Sequence, residues 1–403
     1  FAEQGMRFTR CFQSAPMCSP TRHALYTGQY PVKTGAYPNH TFVRDDVKSV
    51  VQLLRPLGYR VAQSGKTHVN PASIFSWEKL NDGKASNPDF ALVRKFLREC
   101  AGDDQPFCLL LCSNEPHTPW NKGDTSRYPP DEIRLPPFYV DTPETRNGMS
   151  RYLAEITYYD GQVGTALELL EEFGLADDTL VIVLSEQGNA LPFAKWTCYD
   201  HGLQSACVAR WPGKIAPGTV NSAMIEYVDI LPTFIEAAGG TPSPEIDGRS
   251  LLATFEGAQR HKDFVYGEMT TRGINRGSEH FGIRSVRSDR FKYIWNFTPE
   301  VEFRNACTHS REFRSWEAKA AAGDAEAAEW VRRYKFRPEV ELYDLVDDPN
   351  ELANLAADPQ YSDVRRELKA ELVRWMEHCG DKGQATELKA FERQKRGKKK
   401  RTP

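Results

Sequence analysis

Short apolar runs that alternate with helical stretches constrain the fold of this chain more than any other feature. The runs cover residues 59–63, 107–112 and 179–184, and the last two are apolar at consecutive positions, as in strands buried on both faces. Between them, residues 151–173 carry apolar side chains at spacings of three, four and seven, which is typical of a helix with one buried face. The pattern predicts an α/β fold with a doubly wound, mostly parallel sheet sandwiched by helices.

A change in composition predicts a second, smaller unit. Residues 239–250 read GGTPSPEIDGRS, the Gly, Pro and Ser content of a linker or long loop. Beyond this segment we expect short strands at 264–268, 281–286, 290–295 and 342–345, and an amphipathic helix at 364–378. The predicted organisation is a main α/β domain over 1–250, a smaller α+β subdomain with an antiparallel sheet over 251–392, and a basic, disordered tail over 393–403.

Charge and hydropathy argue against a nucleic-acid partner and against a membrane-spanning segment. The chain has 52 Lys and Arg against 55 Asp and Glu, and seven of the basic residues fall in the tail. The remainder is therefore acidic, which argues against nucleic-acid binding because that needs a basic face. The longest apolar runs are far shorter than the roughly 20 residues that cross a bilayer, so we expect no membrane span.

Polar clusters follow the three predicted strands of the main domain. In chain order these clusters contain Lys66 and His68, then His117, then Glu186 and Gln187 followed by Lys195. Ligands of doubly wound folds bind beyond the carboxyl ends of the strands, where such clusters meet. Loops are polar in any case, but three clusters after three strands favour a shared site over coincidence.

A fourth cluster lies near the start of the chain, in FTRCFQSAPMCSPTRHALYTGQ. Ser19 and Pro20 predict a helix N-cap and first helical position, which places Cys18 where unpaired backbone N–H groups favour an anion. Arg22 lies one turn further along the helix. Cys18 is then either a buried structural cysteine, the ordinary role of a single cysteine, or a nucleophile in an electropositive pocket.

These segments resemble the motifs of one enzyme family. CSPTRHALYTG (residues 18–28) resembles the C-x-P-x-R and T-G motif of the type I, formylglycine-dependent sulfatases of the alkaline-phosphatase-like superfamily. GYRVAQSGKTH resembles the family's strand and GK-x-H motif, EPHTPW its P-H-x-P loop, and residues 178–212 its strand, metal loop, lysine and R-W-P-G. ELYDLVDDPNELANLA (residues 341–356) resembles a late family segment. The matches run in order over most of residues 1–356 and are jointly specific.

The resemblance implies a nucleophile and its supporting groups. Cys18 would be oxidised to formylglycine by a sulfatase-maturing (formylglycine-generating) enzyme, and the hydrated aldehyde would attack the sulfur of a sulfate ester. Arg22 would hold this group in place, and His68 would orient its hydroxyl or take its proton. The substrate implied is a sulfated saccharide, such as a fragment of a sulfated polysaccharide, hydrolysed in a periplasmic, extracellular or lysosomal-type compartment.

The same resemblance assigns the remaining residues. Lys66, His117 and Lys195 would bind the substrate: the lysines grip sulfate oxygens, and His117 protonates the departing alcohol. A divalent cation would be held by residue 18, Glu186 and Gln187, with calcium the first choice and magnesium the second.

Two alternatives accompany this assignment. One is a phosphonate or phosphate monoester hydrolase of the same superfamily, and the other is an inactive anion-binding protein. The second follows from two departures: Glu186-Gln187 replaces the family's Asp followed by Asn or His, and only 17 residues precede Cys18. The family carries an Asp-Asp metal pair on a strand further upstream, so we expect this polypeptide to lack a central strand and half of the metal cage.

Further candidates are less specific. Four arginines of the smaller subdomain would suit anionic sugars, with solvated surface charge as the alternative; they are Arg272, Arg276, Arg284 and Arg304. Asp200-His201 either borders the site or forms a surface turn. Trp120 either stacks on a sugar ring or packs in the core.

The first prediction concerns metal affinity and turnover. Because the resemblance leads us to expect only half of the metal cage, this 403-residue polypeptide expressed alone should bind calcium weakly and hydrolyse aryl sulfates slowly. Calorimetric calcium titration and an aryl sulfate assay measure the two quantities. Full turnover by this polypeptide would contradict the expectation.

Overall fold

The computed structural model describes residues 1–81 and 86–394. Its strands are β1 (Met6–Phe12), β2 (Arg60–Gly65), β3 (Glu78–Lys79), β4 (Phe107–Cys112), β5 (Val181–Leu184), β6 (Gln204–Arg210), β7 (Thr219–Glu226), β8 (Val265–Thr270), β9 (Gly282–Arg287), β10 (Phe291–Asn296) and β11 (Val340–Asp344). Its helices are α1 (Cys18–Thr27), α2 (Pro31–Thr34), α3 (Val50–Leu54), α4 (Phe90–Gly102), α5 (Pro143–Glu172), α6 (Asp200–Leu203), α7 (Ile230–Ala237), α8 (Leu252–Phe255), α9 (Arg311–Ala321), α10 (Ala325–Lys335), α11 (Ser362–Cys379) and α12 (Gln384–Glu387).

The strands form three sheets. In the main domain, β3-β2-β4 is parallel, while β5-β6-β1-β7 is mixed because β6 alone runs against its neighbours. The smaller subdomain contains the antiparallel sheet β11-β10-β9-β8. The predicted α/β class with a C-terminal antiparallel sheet is confirmed, although the main-domain strands form two sheets rather than one.

Strands β4 and β5 are less buried than their sequences predict. Along both strands nearly every residue is partly exposed, where burial on both faces was expected. Within the described residues, β4 pairs only with β2 and β5 only with β6, so each strand has one open edge. Both strands line a cavity of about 980 Å³, and this cavity is the reason for their exposure.

Two helices differ from their predicted limits. α5 begins at Pro143, eight residues before the apolar periodicity starts, and Thr142 caps it by accepting a hydrogen bond from the backbone of Thr145. α1 begins at Cys18 with Met17 as its N-cap, so the prediction of Ser19 as the cap is wrong. The Ser19 hydroxyl instead donates to the carbonyl oxygen of His68, 3.1 Å away, which ties this helix to the loop after β2.

The predicted disordered tail does not begin at residue 393. The Arg393 guanidinium donates to the carbonyl oxygens of Gly35 and Phe42, and Gln394 forms an isolated β-bridge with Thr41. These contacts order the start of the predicted tail, while residues 395–403 lie outside the described part of the chain. Among the described residues, no helix is both long and apolar enough to cross a membrane.

Buried ion pairs lie inside the smaller subdomain and between it and the main domain. Arg284 of β9 pairs with Asp381 and Glu387, and all three side chains are at most 1% exposed. Arg284 is therefore a structural residue, and its predicted role as a substrate contact or solvated charge is wrong. Asp200 of α6 pairs with Arg287 and Lys292 of the antiparallel sheet, so it belongs to a domain contact and not to a surface turn.

The second prediction tests the buried pairs. Arg284→Met keeps most of the side-chain volume but leaves the carboxylates of Asp381 and Glu387 buried without their partner. Such a loss destabilises proteins by about 3–5 kcal/mol. The control is Arg260→Met, because the Arg260–Asp263 pair is exposed and such pairs contribute less than about 1 kcal/mol. Urea unfolding measures both, and equal effects would contradict the prediction.

Candidate active site

Cys18 lies at the first position of α1, directly after the loop that leaves β1. Its side chain is buried, with the residue 5% exposed. The first turn of a helix carries N–H groups without intrahelical partners, which favour negative charge near its start. The cysteine therefore has the local setting that the sequence predicted, although the residue that caps the helix is different.

Arg22 joins Cys18's helix to the ends of two strands. Its Nη1 donates to the carbonyl oxygen of Lys66, 2.8 Å away, directly after β2. Its Nη2 forms an ion pair with Glu186, two residues after β5. Three of the four polar clusters singled out in the sequence therefore meet at one buried guanidinium.

Two lysines bring positive charge to the same place. Lys66 follows Gly65, where a Cβ atom would approach the Cys112 carbonyl oxygen to 2.1 Å, so only glycine allows this close passage. Lys195 is buried, and burial together with the charge of Lys66 lowers its pKa, whereas Cys18 opposes that change. Both lysines line the cavity of about 980 Å³.

His117 lines this cavity and has one ring nitrogen without a hydrogen-bond partner among the described residues. Its Nδ1 lies 2.6 Å from the Thr118 carbonyl oxygen, and because a carbonyl only accepts, Nδ1 carries the proton. Burial and the charges of Lys195 and Lys66 lower the pKa of His117 to about 4. An anion bound between the lysines would offset their charge and raise this pKa, which prepares Nε2 to donate a proton.

His68 has a partner that the sequence did not reveal. Its Nε2 lies 3.0 Å from Nδ1 of His40, while its own Nδ1 is buried with no hydrogen-bond partner in the described part of the chain. Burial and the charges of Lys66 and Arg22 lower the pKa of His68 to about 4. No spacing or periodicity pointed to His40, which stands alone in a loop outside the four polar clusters.

Glu186 and Gln187 offer oxygens suited to a hard cation. Burial opposes ionisation of Glu186, but the charges of Arg22 and the two lysines hold its pKa below the ordinary value. Oε1 of Gln187 is a buried acceptor without a partner in the described chain. Calcium takes six to eight oxygens, and within the described residues no group of three or more His, Cys, Asp or Glu is arranged to hold a metal. The donor chemistry fits, but the donor number is low.

The remaining candidates lie apart from this cluster or serve packing. Trp120 is 8% exposed, donates to the Pro116 carbonyl oxygen and packs against Tyr152, so packing explains it. Arg276 and Arg304 are exposed. Arg272 donates to the backbone-bridging residue Gln394.

Two family models match the chain. The one described as Sulfatase covers residues 1–240, and the one described as N-sulphoglucosamine sulphohydrolase, C-terminal, covers residues 188–316. The first match spans every residue of the cluster around Arg22.

Curated relatives extend over nearly the whole chain. An ulvan-active sulfatase of Formosa agariphila is 32% identical over 94% of this chain and 74% of its own length. The human N-sulphoglucosamine sulphohydrolase is 26% identical over 93% of this chain and 83% of its own length.

Solved structures share the fold. One, in complex with its substrate D-glucosamine-2-N,6-O-disulfate, has a TM-score of 0.70 at 17% identity and covers 95% of this chain and 92% of its own. A phosphonate monoester hydrolase from Silicibacter pomeroyi has a TM-score of 0.69 at 19% identity, with 95% and 90% covered.

The third prediction tests the electrostatics of the cluster. Lys195→Met should raise the pKa of His117, because it removes the charge that most disfavours the imidazolium. Lys214→Met, at an exposed position outside the cavity, is the matched control. Titration of the histidine ring signals by NMR reports both variants. An unaltered His117 pKa in Lys195→Met would show that the lysine does not act on this ring.

Proposed function

The chain belongs to the sulfatase family and is a sulfuric ester hydrolase, and on that basis we propose that hydrolysis takes place at the basic end of the cavity beside Cys18. The observation that carries the proposal is the convergence of Arg22, Lys66 and Lys195 from three separate segments around the start of α1. Sulfate carries its negative charge on peripheral oxygens. Preorganised cations therefore stabilise the transition state of its transfer more than any single base does.

Each side chain of the cluster has a task that matches its geometry. Lys66 and Lys195 bind the sulfate oxygens and stabilise the negative charge that develops on these oxygens in the transition state. Nε2 of His117, left free by the bond from Nδ1 to Thr118, donates a proton to the departing alcohol once the bound anion has raised its pKa. Arg22 holds the helix that carries Cys18 against the strand ends, so that the side chain of residue 18 stays aligned with the bound sulfate.

Two groups are proposed beyond the side chains described. Formylglycine, made from Cys18 by a sulfatase-maturing enzyme, would supply a hydrated aldehyde as the nucleophile. Calcium, or magnesium as the second choice, would be held by residue 18, Glu186 and Gln187. The orphaned Oε1 of Gln187 and the ionised Glu186 support this ligand assignment.

The substrate class rests on the relatives. Those of known activity include ulvan-active sulfatases and a glucosamine sulfohydrolase, whose substrates are sulfated saccharides. We assign this chain a sulfated saccharide, with a fragment of a sulfated polysaccharide as the first candidate. The location we propose, periplasmic, extracellular or lysosomal-type, is the one that the family resemblance implies.

The competing activity, phosphonate or phosphate monoester hydrolysis, shares the fold but has less support. The phosphonate monoester hydrolase is 19% identical, a level at which likeness speaks for the fold alone. Parallel assays with aryl sulfate and aryl phosphonate, after co-expression with a maturing enzyme, separate the two. A clear preference for the phosphonate would overturn the sulfatase assignment, and an unmodified Cys18 thiol in peptide mass spectrometry would favour the inactive alternative.

The fourth prediction tests His117 as the leaving-group acid. His117→Ala should lower kcat on a sugar sulfate about 100-fold to 10,000-fold, the usual contribution of a general acid. The loss on 4-nitrophenyl sulfate should be much smaller, because nitrophenolate leaves without a proton. His378→Ala, at an exposed histidine paired with Asp247, is the matched control. Equal losses on both substrates would assign His117 to binding and not to proton donation.

A further inference from the structure

His40 occupies an unusual position beside the proposed active site. Its ring centroid lies 4.9 Å from that of His68, and its Nδ1 lies 3.0 Å from Nε2 of His68. Both residues have left-handed backbone conformations, with φ of 56° and 51°. Non-glycine residues rarely adopt this region unless the surrounding structure holds them there. The side chains are thus brought together at some expense in backbone free energy.

The contact between the two rings contains one shared proton. Two ring nitrogens 3.0 Å apart form one hydrogen bond, in which one nitrogen donates its proton and the other accepts it. Either Nε2–H of His68 donates to Nδ1 of His40, or Nδ1–H of His40 donates to Nε2 of His68. In the first case Nδ1 of His68 is a lone pair, and in the second it is a buried donor.

The charges around His68 decide between these cases. Lys66, Arg22 and Lys195 all act on this ring, and they are opposed by Glu186, which Arg22 already pairs. A net positive potential favours a lone pair over an N–H at the buried, unpartnered Nδ1. The proton of His68 therefore belongs on Nε2, where Nδ1 of His40 accepts it.

We propose that His40 is a positioning residue that fixes the tautomer and orientation of His68. The hydrogen bond at one imidazole nitrogen sets the state of the other, so His40 leaves Nδ1 of His68 as a hydrogen-bond acceptor for a hydroxyl on residue 18. The catalytic part of this proposal rests on the proposed function. The tautomer itself is a property of the folded chain.

Arg272 of the smaller subdomain, together with Arg393 and Gln394, holds the residues next to His40 in place. On one side, Asn39 donates from its backbone to the Arg272 carbonyl, and the Asn39 carbonyl accepts from Gln394. On the other side, the Thr41 hydroxyl donates to the Arg393 carbonyl, 2.6 Å away. The residues on both sides of His40 are thus held by Arg272, Arg393 and Gln394, which fixes the backbone that carries the ring.

Two substitutions separate the hydrogen bond from the backbone. His40→Gly tolerates a positive φ without strain but has no acceptor. His40→Asn also tolerates this conformation, and its Oδ1 takes nearly the place of Nδ1 and accepts a hydrogen bond. If His40 acts only through its backbone, the two variants should behave alike. If it acts as an acceptor, only the asparagine variant should resemble the original chain.

The test is ¹⁵N NMR of the histidine rings, with His68→Gln used to assign the His68 signals. In the original chain and in His40→Asn we expect a protonated Nε2 and an unprotonated Nδ1 on His68, with the Nε2 proton hydrogen-bonded. In His40→Gly we expect this hydrogen-bonded proton to be lost and the two tautomers to mix. A shared proton found on Nδ1 of His40, or unaltered His68 shifts in His40→Gly, would overturn the proposal.

Turnover supplies the second measurement. His40→Gly should lower kcat about tenfold to a hundredfold with little change in KM, as for other residues that orient a catalytic group, and His40→Asn should restore most of it. Equal kcat values for the original chain and His40→Gly would contradict the catalytic part of the proposal. The ring shifts are measured without any substrate, so failure of the sulfatase assignment would leave that result standing.

Discussion

The buried guanidinium of Arg22 is the interaction on which the site depends. A buried charge is stable only when it is paired and hydrogen-bonded, and Arg22 finds both partners at the ends of strands from different sheets. This requirement forces the helix that carries Cys18, the loop that carries Lys66 and the loop that carries Glu186 to meet. The basic cluster is therefore a consequence of satisfying one charge, with the side chains proposed to act in catalysis placed around it.

A second layer of buried charge extends this logic to the smaller subdomain. Asp200 follows the loop that supplies Lys195, and it pairs with Arg287 and Lys292 of the antiparallel sheet. Replacing such pairs by apolar residues is often neutral, but leaving one partner alone is costly. The pairs thus specify where the antiparallel sheet packs against the main domain. This packing in turn positions the segments of the smaller subdomain that contact the neighbours of His40.

The sequence predicted those features that depend on local pattern. Residues 107–112 match β4 because a short, continuous apolar run bounded by polar loops is typical of a strand. The groups around Arg22 were also predictable, because they follow strands whose ends converge. Features set by distant contacts were not predictable. Ser19 looks like a helix cap, yet its hydroxyl bonds to His68, and His40 gains its partner only when residues far apart in sequence meet. Arg284 resembles a surface charge until Asp381 and Glu387 enclose it.

The contacts made by Arg393 and Gln394 have a consequence for the order in which the molecule matures on the ribosome. Arg393 reaches back to Gly35, 358 residues earlier, and Gln394 pairs with Thr41. Contacts of such long sequence separation form late, because the intervening chain must first be synthesised and ordered. A nascent chain can therefore order the helix that begins at Cys18 before Gly35 and Thr41 gain these partners, so the segment that follows this helix is among the last parts of the main domain to become fixed.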